Sequence, residues 1–345
     1  MLILGIESSC DETSAAVIKG ETKGPTVELL SNIVASSLSI HSKTGGIIPE
    51  NAAREQIKFI IPVIKEAIDK AKVKVSDIDV IAVTYGPGLI GSLLIGVETA
   101  KTLSYVWNKP LIPVNHLLGH IYANFIDLDA NIEFPAIGLI VSGGHTDLIL
   151  MKNHGSIRWL GGTRDDAAGE ALDKIGRLLG LPYPGGPAIE KASQRGDSSR
   201  FTFPSPLINS DDFDFSFSGL KTAVFREATT IKQPASPAGG LSNETISDIS
   251  ASVQQAIIDV LVKKTLSAAR EYNARSILLG GGVAANQALR NEFELEIENW
   301  KLEIPLFVPE KWLCTDNAAM IATAAFYNDN VLDFRKLDAY PSLYF

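Results

Sequence analysis

The chain has 345 residues, of which 46% are hydrophobic and 21% charged, a length typical of two globular domains. No apolar run approaches the ~18 residues of a membrane span, and no charged region followed by an apolar stretch and a cleavage site opens the sequence, so we expect neither a membrane span nor a signal peptide. Two cysteines exclude a disulfide scaffold. The 31 basic and 40 acidic residues give a net charge of −9, so nucleic acid would require a local basic stripe or a partner protein.

The first predicted element is a β-hairpin over Leu2–Lys19 with a polar tip at Ser8–Thr13. The tip carries Asp11 and Glu12, and carboxylates beside a phosphate typically hold a metal or position a nucleophile. A solvated polar turn explains the same residues equally well, so both interpretations stay open.

A helix is expected next over Asn51–Lys72. A buried-type strand over Asp79–Thr84 then leads through Gly86-Pro87-Gly88 into an apolar helix from about Leu89. A glycine loop between strand and helix lets the backbone approach a ligand at the helix N-terminus, where the helix dipole favours negative charge. Glycines that merely make a turn are the alternative.

The strongest single pattern is the helix predicted over Asn115–Asp127. At about 100° per residue its apolar side chains share one face, and His116 and His120 lie one turn apart on the opposite face, away from the core. Two imidazoles so placed can bind one divalent ion, and solvated surface histidines are the alternative. Leu117 stands where a zinc protease of the H-E-x-x-H type requires glutamate, so the pattern argues against a peptidase.

The histidine pair needs a third ligand, and the sequence offers two candidates. Asp127 lies two turns further along the same predicted helix face, whereas Asp316 is far away in the sequence. Asp316 is at least as well explained as the N-cap of a helix over Ala318–Phe326. Both candidates stay open on the residues alone.

A second predicted hairpin covers Pro135–Lys152, with its tip at Ser142–Thr146. The two glycines, the hydroxyl and the consecutive N–H groups of this tip suit a phosphate or acyl-phosphate oxygen, and a tight turn is the alternative. A helix over Asp166–Leu179 follows, with several carboxylates, Asp173 among them, along an edge that ordinarily faces solvent.

A region in the second half of the chain spreads basic residues among several phenylalanines. This mixture could contact a nucleic-acid backbone or be an ordinary loop-rich surface. The basic residues are Lys191, Arg195, Arg200, Lys221, Arg226 and Lys232. The segment Lys232–Asn243 is rich in Pro, Ala, Gly and Ser and is interpreted as a mobile surface loop.

The last predicted elements are a long helix, a strand, a glycine loop and a second helix, over Ile246–Tyr272, Arg275–Leu279, Gly280–Gly282 and Ala284–Leu295. The strand, loop and helix repeat the order found earlier in the chain, and Gly5 and Gly138 occupy matching places in the two hairpins. The sequence therefore predicts two α/β lobes closing on a phosphate-bearing ligand, with one ordinary α/β fold as the alternative.

The blocks GIESSCDETSAAV, NH-x-x-x-H, IVSGGHT, DDAAGEALDK, YPGGP, GGGVAANQALR and TDNAAMIA run in order from residue 5 to about 325. Together they resemble the TsaD family of tRNA threonylcarbamoyladenosine transferases. The resemblance implies the two-lobed α/β fold of actin, hexokinase and the Hsp70 ATPase (the ASKHA fold), with duplicated RNase H-like lobes and a central cleft. We expect an N-terminal lobe over 1–130, on which a tail from about 326 to 345 packs, and a C-terminal lobe over 131–325.

The resemblance also implies an acyltransferase. It would move the threonylcarbamoyl group from threonylcarbamoyl-AMP to N6 of the adenosine following the anticodon, in tRNAs that read codons beginning with A, and release AMP. The competing hypotheses are a small-molecule kinase of the same fold, a metalloprotease, and a non-catalytic nucleotide-binding scaffold. The histidine pair argues against the kinase, which does not need it.

Carried over residue by residue, the resemblance implies that His116, His120 and Asp316 are metal ligands, with iron(II) as the expected ion and zinc(II) as the alternative. It implies that Asp11 and Glu12 matter for activity. The adenylate-binding residues that it implies are Ile140, Val141, Ser142, Gly143, Gly144, Asp173, Gly186 and Asn286, with Asp173 placed for the ribose. The bound nucleotide is expected to be threonylcarbamoyl-AMP or ATP.

Partners follow from the same resemblance. It implies tRNA as substrate, a TsaB-like paralogue and a TsaE-like ATPase, and the motifs favour a bacterial, cytoplasmic protein. No membrane association is expected, and self-association stays open. Because the chain is acidic, we expect it to bind tRNA weakly without its partners.

Overall fold

The structure is a computed structural model that describes residues 1–21, 27–37, 48–127, 131–231, 241–328 and 330–345. Its strands in chain order are β1 (Leu2–Glu7), β2 (Glu12–Gly20), β3 (Val27–Ser36), β4 (Val80–Gly86), β5 (Leu111–Asn115), β6 (Ala136–Val141), β7 (Thr146–Asn153), β8 (Ser156–Gly162), β9 (Ser276–Gly280) and β10 (Leu306–Phe307). Its helices are α1 (Pro49–Ala71), α2 (Ile90–Trp107), α3 (His116–Tyr122), α4 (Ala168–Leu178), α5 (Gly185–Ser193), α6 (Ser218–Ile231), α7 (Asn243–Glu271), α8 (Gln287–Asn299), α9 (Lys311–Cys314) and α10 (Ala318–Tyr327). Within the described residues, no helix has the length and apolar character that crossing a membrane requires.

The described chain forms two compact units. The first comprises Met1–Ile132, Asn153–Ile157 and Pro309–Phe345, and the second comprises Glu133–Lys152 and Arg158–Val308. The domain boundary near residue 130 that the sequence suggests stays a prediction.

The first unit contains a five-stranded sheet with the order β3-β2-β1-β4-β5. Strand β1 pairs antiparallel with β2, and β2 with β3, whereas β1, β4 and β5 run parallel to one another. The central strands β1 and β4 are almost continuously buried, as expected for strands with packing on both faces of the sheet. The predicted first hairpin is confirmed, with its tip between Glu7 and Glu12.

Helix α10 packs closely on β1 because Gly5 has no side chain. A Cβ at Gly5 would lie 2.4 Å from the carbonyl oxygen of Ala318 and 2.9 Å from Ala322 Cβ. The helix is apolar on every side, and all its residues from Ala318 to Ala325 are buried. This close approach fixes the position of the residues that directly precede α10.

The second unit repeats the same sheet. Its order is β8-β7-β6-β9-β10, which matches β3-β2-β1-β4-β5 strand for strand. Strand β6 pairs antiparallel with β7 and parallel with β9, and Gly138 lies opposite Ile149 as Gly5 lies opposite Ala16. The internal duplication predicted from the two hairpins is confirmed.

Most helix boundaries differ by a few residues from the sequence prediction, and two of the differences bear on the site. The helix predicted over Ala284–Leu295 begins only at Gln287, because Asn286 is its N-cap and a 3-10 turn precedes it. The helix predicted over Asn115–Asp127 ends at Tyr122 and continues as a short 3-10 turn. Residues 232–240 of the predicted surface loop lie outside the described residues.

Candidate functional site

Helix α3 carries both histidines of the predicted pair. It begins at His116 because the Asn115 side chain caps it, accepting hydrogen bonds from Leu117 N at 2.8 Å and from Leu118 N at 3.4 Å. His116 and His120 lie one turn apart, but they are only 7% and 1% exposed. The expectation that they face away from the core is wrong, because this short helix is enclosed on nearly every side.

Asp316 reaches the histidines from the start of α10. Asn317, not Asp316, is the N-cap of α10, and its side chain accepts a hydrogen bond from Met320 N at 3.1 Å. Gly119 lets α10 approach α3, because a Cβ there would lie 2.8 Å from Ile321 Cδ1. The local capping and this helix contact together bring the Asp316 carboxylate to α3.

His116, His120 and Asp316 form one cluster whose side-chain atoms could hold a metal ion. The Nε2 atoms of His116 and His120 lie 3.6 and 3.3 Å from Asp316 Oδ1, and the three ligand atoms all lie within 4.8 Å of one another. Two atoms that each bind one ion at ~2.1 Å with tetrahedral geometry are ~3.4 Å apart, and the two distances between the carboxylate and the imidazoles are close to this value. Two imidazoles and one carboxylate are the donor set of non-haem iron(II) sites and also suit zinc.

His120 supports the same interpretation. Its ring is buried, yet neither of its nitrogens makes a hydrogen bond to any described residue. Buried polar atoms nearly always have a partner, and a metal ion is one that would satisfy a ring nitrogen.

Negative charge is concentrated around the cluster. Burial lowers the pKa of His116, but the carboxylates of Asp316 and Glu7 outweigh this effect and raise the pKa to about 9. Burial raises the pKa of Glu12 well above its ordinary value, and the nearby Asp316 and Asp11 raise it further. A divalent cation would offset the repulsion among these carboxylates.

Asp127, the other candidate third ligand, has different partners. Its Oδ1 accepts a hydrogen bond from Leu29 N at 3.0 Å, and its own N–H donates to Val27 O at 2.9 Å. Because α3 ends at Tyr122, Asp127 does not share the helix face of the histidines. The structure therefore brings Asp316, and not Asp127, to the pair.

The first hairpin tip, which holds Asp11 and Glu12, is secured by a buried glutamine. Gln56 of α1 is 1% exposed, and its Nε2 lies 3.3 Å from the carbonyl oxygen of Ser8 and 3.0 Å from those of Cys10 and Glu12. The two N–H groups of one side chain are thereby shared among three carbonyl groups of the tip. The sequence offers no cue for this role, because one glutamine in a helix is ordinarily a surface residue.

The second hairpin tip presents open backbone. It is closed by hydrogen bonds from Ser142 N to His145 O at 2.8 Å and from His145 N to Ser142 Oγ at 3.2 Å. A Cβ at Gly143 or Gly144 would meet nothing within 4 Å. The two glycines therefore leave the backbone of the tip unobstructed, and the binding of a ligand there stays a prediction.

Asp173 faces the start of α5. Its Oδ1 accepts a hydrogen bond from Gly185 N at 2.6 Å. Burial raises the pKa of Asp173, and the N–H groups of Gly185 and Gly186 oppose this rise. The expectation that its helix edge faces solvent is wrong for Asp173, which is half-buried against α5.

The other predicted adenylate residues lie in the same unit. Ile140 and Val141 are fully buried in β6, so only their backbone is available to a ligand. The loop after β9 packs on this strand end, because a Cβ at Gly281 would lie 2.4 Å from Val141 O. Asn286 caps α8, and its Nδ2 donates to Gln254 Oε1 at 2.9 Å.

The predicted basic region is exposed. Its solvent-facing cations are Lys191, Arg195, Arg200, Lys221 and Arg226, and Lys232 lies outside the described residues. Phe215 and Phe217 are fully buried, so these aromatics belong to the core. A nucleic-acid interface at this surface stays a prediction.

Comparison with protein families matches residues 28–323 to the model described as TsaD, tRNA N6-adenosine threonylcarbamoyltransferase. A protein of that name from Moorella thermoacetica is 49% identical over 343 residues, which cover 99% of this chain and 96% of the relative. Another from Bacillus subtilis is 50% identical over 324 residues, covering 94% of this chain and 89% of the relative.

Among solved structures, full-length HypF in its phosphate- and nucleotide-bound form aligns with a TM-score of 0.59 and 13% identity. The alignment covers 94% of this chain and 55% of the HypF chain, so this chain spans about half the length of that protein. At such low identity the likeness concerns the fold alone. The ASKHA-like α/β fold expected from the sequence is confirmed.

Proposed function

Because this chain belongs to the TsaD family of tRNA N6-adenosine threonylcarbamoyltransferases, we propose that it transfers a threonylcarbamoyl group to N6 of adenosine in tRNA. The observation that carries this proposal is the family match over residues 28–323. The proposed donor is threonylcarbamoyl-AMP, and the proposed acceptor is the adenosine following the anticodon in tRNAs that read codons beginning with A. The proposed compartment is the cytoplasm.

The reaction needs no covalent enzyme intermediate. The adenosine N6 amine attacks the carbamoyl carbon, a C–N bond forms, and the C–O bond to the phosphate of AMP breaks. AMP leaves and N6 loses one proton. Since the mixed anhydride already activates the carbonyl, the protein has to bind and orient the donor and stabilise the developing negative charge.

His116, His120 and Asp316 would hold a divalent ion, iron(II) in this proposal with zinc(II) as the alternative. Their donor atoms lie within 4.8 Å of one another, which supports the assignment. When bound, the ion supplies Lewis acidity towards a carbonyl or phosphoryl oxygen. Burial is the largest cause of the raised pKa of Glu12, and a buried carboxyl group with a raised pKa suits a residue that exchanges a proton during the reaction.

The donor's adenylate is assigned to the second unit. Gly143 and Gly144 offer unobstructed backbone to the phosphate, and Asp173 offers a carboxylate to a ribose hydroxyl. Gly186 and Asn286, at the starts of α5 and α8, complete the assignment. Ile140 and Val141 contribute backbone atoms, because their side chains are buried.

Gly144→Ala is expected to raise the KM for threonylcarbamoyl-AMP about tenfold, equivalent to losing roughly one hydrogen bond to the donor. The added methyl group meets no protein atom within 4 Å, so it would obstruct the donor and leave the melting temperature unchanged. Steady-state kinetics and thermal unfolding test this together. Gly155→Ala, in another exposed turn, is the control, and an equal KM rise there would refute the assignment.

Metal uptake by the metal-free protein is expected to release about one proton per chain near pH 7.5. The pKa of His116 is raised to about 9, so below that pH its imidazole carries an extra proton that a metal ligand must lose. Metal affinity should therefore fall as the pH is lowered. Calorimetry in two buffers of different ionisation enthalpy measures the released proton, and identical heats in both buffers would contradict the expectation.

The proposed function is tested by reconstitution. The purified chain is mixed with threonylcarbamoyl-AMP, the TsaB-like and TsaE-like partners that the resemblance implies, and tRNA carrying adenosine or guanosine after the anticodon. Mass spectrometry of the nucleosides should find N6-threonylcarbamoyladenosine (t6A) only in the tRNA that carries adenosine at this position. One AMP should be released for each t6A formed. Absence of t6A, together with phosphorylation of acetate or a sugar from ATP, would favour the kinase alternative.

A further inference from the structure

Glu7 is a buried carboxylate beside the histidine cluster that the assignments above leave without a role. It is the last residue of β1 and is fully buried. Its Oε1 accepts a hydrogen bond from Ser9 N at 2.5 Å, its Oε2 accepts one from Thr84 Oγ1 at 2.5 Å, and Oε2 also lies 3.2 Å from His116 Nδ1. An unpartnered buried carboxylate is strongly unfavourable, so these three groups explain how the fold accommodates it.

The orientation of the His116 ring indicates what this carboxylate does. Nδ1 faces Glu7, whereas Nε2 lies 3.6 Å from Asp316 Oδ1. An ionised carboxylate can only accept a hydrogen bond, so a bond between Glu7 and His116 requires a proton on Nδ1. A neutral imidazole with its proton on Nδ1 has its lone pair on Nε2, on the side of Asp316.

His116 differs from His120 in having a hydrogen-bond partner at Nδ1 among the described residues. Nδ1 of His120 has no hydrogen-bond partner in the described part of the chain. The second possible acceptor for His116 is Ser9, whose Oγ lies 3.2 Å from the same Nδ1. An ionised acceptor forms a stronger hydrogen bond than a hydroxyl, so the carboxylate is the favoured partner.

We propose that Glu7 is a positioning residue of the metal centre, which accepts the Nδ1 proton of His116 and thereby keeps Nε2 as the ligand atom. This inference rests on the proposed function, because it deepens the assignment of the same site. Glu7 acts through His116 and does not touch the metal or the substrates.

Glu7→Gln tests the proposal with a side chain of nearly the same shape. Glutamine offers one oxygen, which accepts hydrogen bonds, and one NH2 group, which donates them. If the NH2 group faces His116, it can donate only to an Nδ1 that carries no proton. The proton of the neutral ring must then be on Nε2. We expect zinc(II) affinity, measured by competition with a chelator on the full chain, to fall about 10- to 100-fold. Long-range 1H–15N NMR of the zinc-loaded wild type should show a proton on Nδ1 of His116.

Ser9→Ala is the matched control, because it removes the competing acceptor from the same nitrogen. Its zinc affinity should stay within about threefold of wild type. Unchanged affinity in Glu7→Gln, or a loss confined to Ser9→Ala, would overturn the proposal. A proton on Nε2 of His116 in the zinc-loaded wild type would also overturn it, whether or not Glu7→Gln folds.

His120→Ala separates the role of Glu7 from the metal centre on which that role rests, and neither result alters the separate test for threonylcarbamoyl transfer. If His120→Ala loses zinc while Glu7→Gln keeps it, the metal centre stands and the role of Glu7 is wrong. If the wild type itself takes up no zinc at this cluster, the metal centre and the role of Glu7 are both wrong.

Discussion

Replacing Asp316 by asparagine is expected to abolish stoichiometric metal binding and to reduce t6A formation at least ~100-fold. Its carboxylate lies 3.6 and 3.3 Å from the Nε2 atoms of His116 and His120 and completes the donor set. Loss of an outer partner of a metal ligand typically weakens affinity or activity about 10- to 100-fold, so loss of a ligand should have a larger effect. Elemental analysis and mass spectrometry of tRNA nucleosides measure the two effects.

The fold should survive this substitution. Asparagine has nearly the same shape. Removing the charge relieves the repulsion that contributes to the raised pKa of Glu12, but it also removes the attraction that contributes to the raised pKa of His116. The two effects oppose each other, so the metal-free variant should unfold close to the temperature of the metal-free wild type. Asp127→Asn is the control, since it keeps an acceptor oxygen for Leu29 N and should retain the metal. Full activity in Asp316→Asn would refute the assignment.

Gly5→Ala is expected to lower the free energy of unfolding by about 1–3 kcal/mol, the usual effect of overpacking. The new Cβ would lie 2.4 Å from the carbonyl oxygen of Ala318, a backbone atom that cannot move unless the start of α10 moves. Since Asp316 lies two residues before the first residue of α10, zinc affinity should fall as well. Urea unfolding of the metal-free protein and chelator competition measure the two effects.

Gly219→Ala in α6 is the control for the Gly5 variant. A Cβ at Gly219 would meet nothing within 4 Å, so alanine should leave stability unchanged or increase it by up to about 1 kcal/mol. If Gly5→Ala unfolds at the same urea concentration as the wild type, the close packing of α10 on β1 is wrong.

The repeated sheet could be predicted from the sequence because its evidence is local. Each hairpin combines apolar strands with a polar tip, and each strand-loop-helix unit carries its own glycines. The spacing of His116 and His120 likewise needs only the geometry of one helix turn. Such short-range patterns fix the type of element well, but they do not determine which elements pack together.

Burial and distant contacts could not be predicted in this way. The choice between Asp127 and Asp316 depends on how α10 packs on α3, which no periodicity within α3 reveals. The burial of both histidines has the same origin, because neighbouring elements cover the face that the helix pattern leaves polar. Glu7 looks like the ordinary end of a strand until the fold places it 3.2 Å from His116.

The most direct test of the metal centre is anomalous X-ray scattering at the iron edge from crystals grown with iron(II) under anaerobic conditions. One strong peak per chain is predicted, bonded to Nε2 of His116, Nε2 of His120 and the carboxylate of Asp316. A peak beside other residues, or no peak at this cluster in crystals whose protein forms t6A with iron(II), would contradict the account.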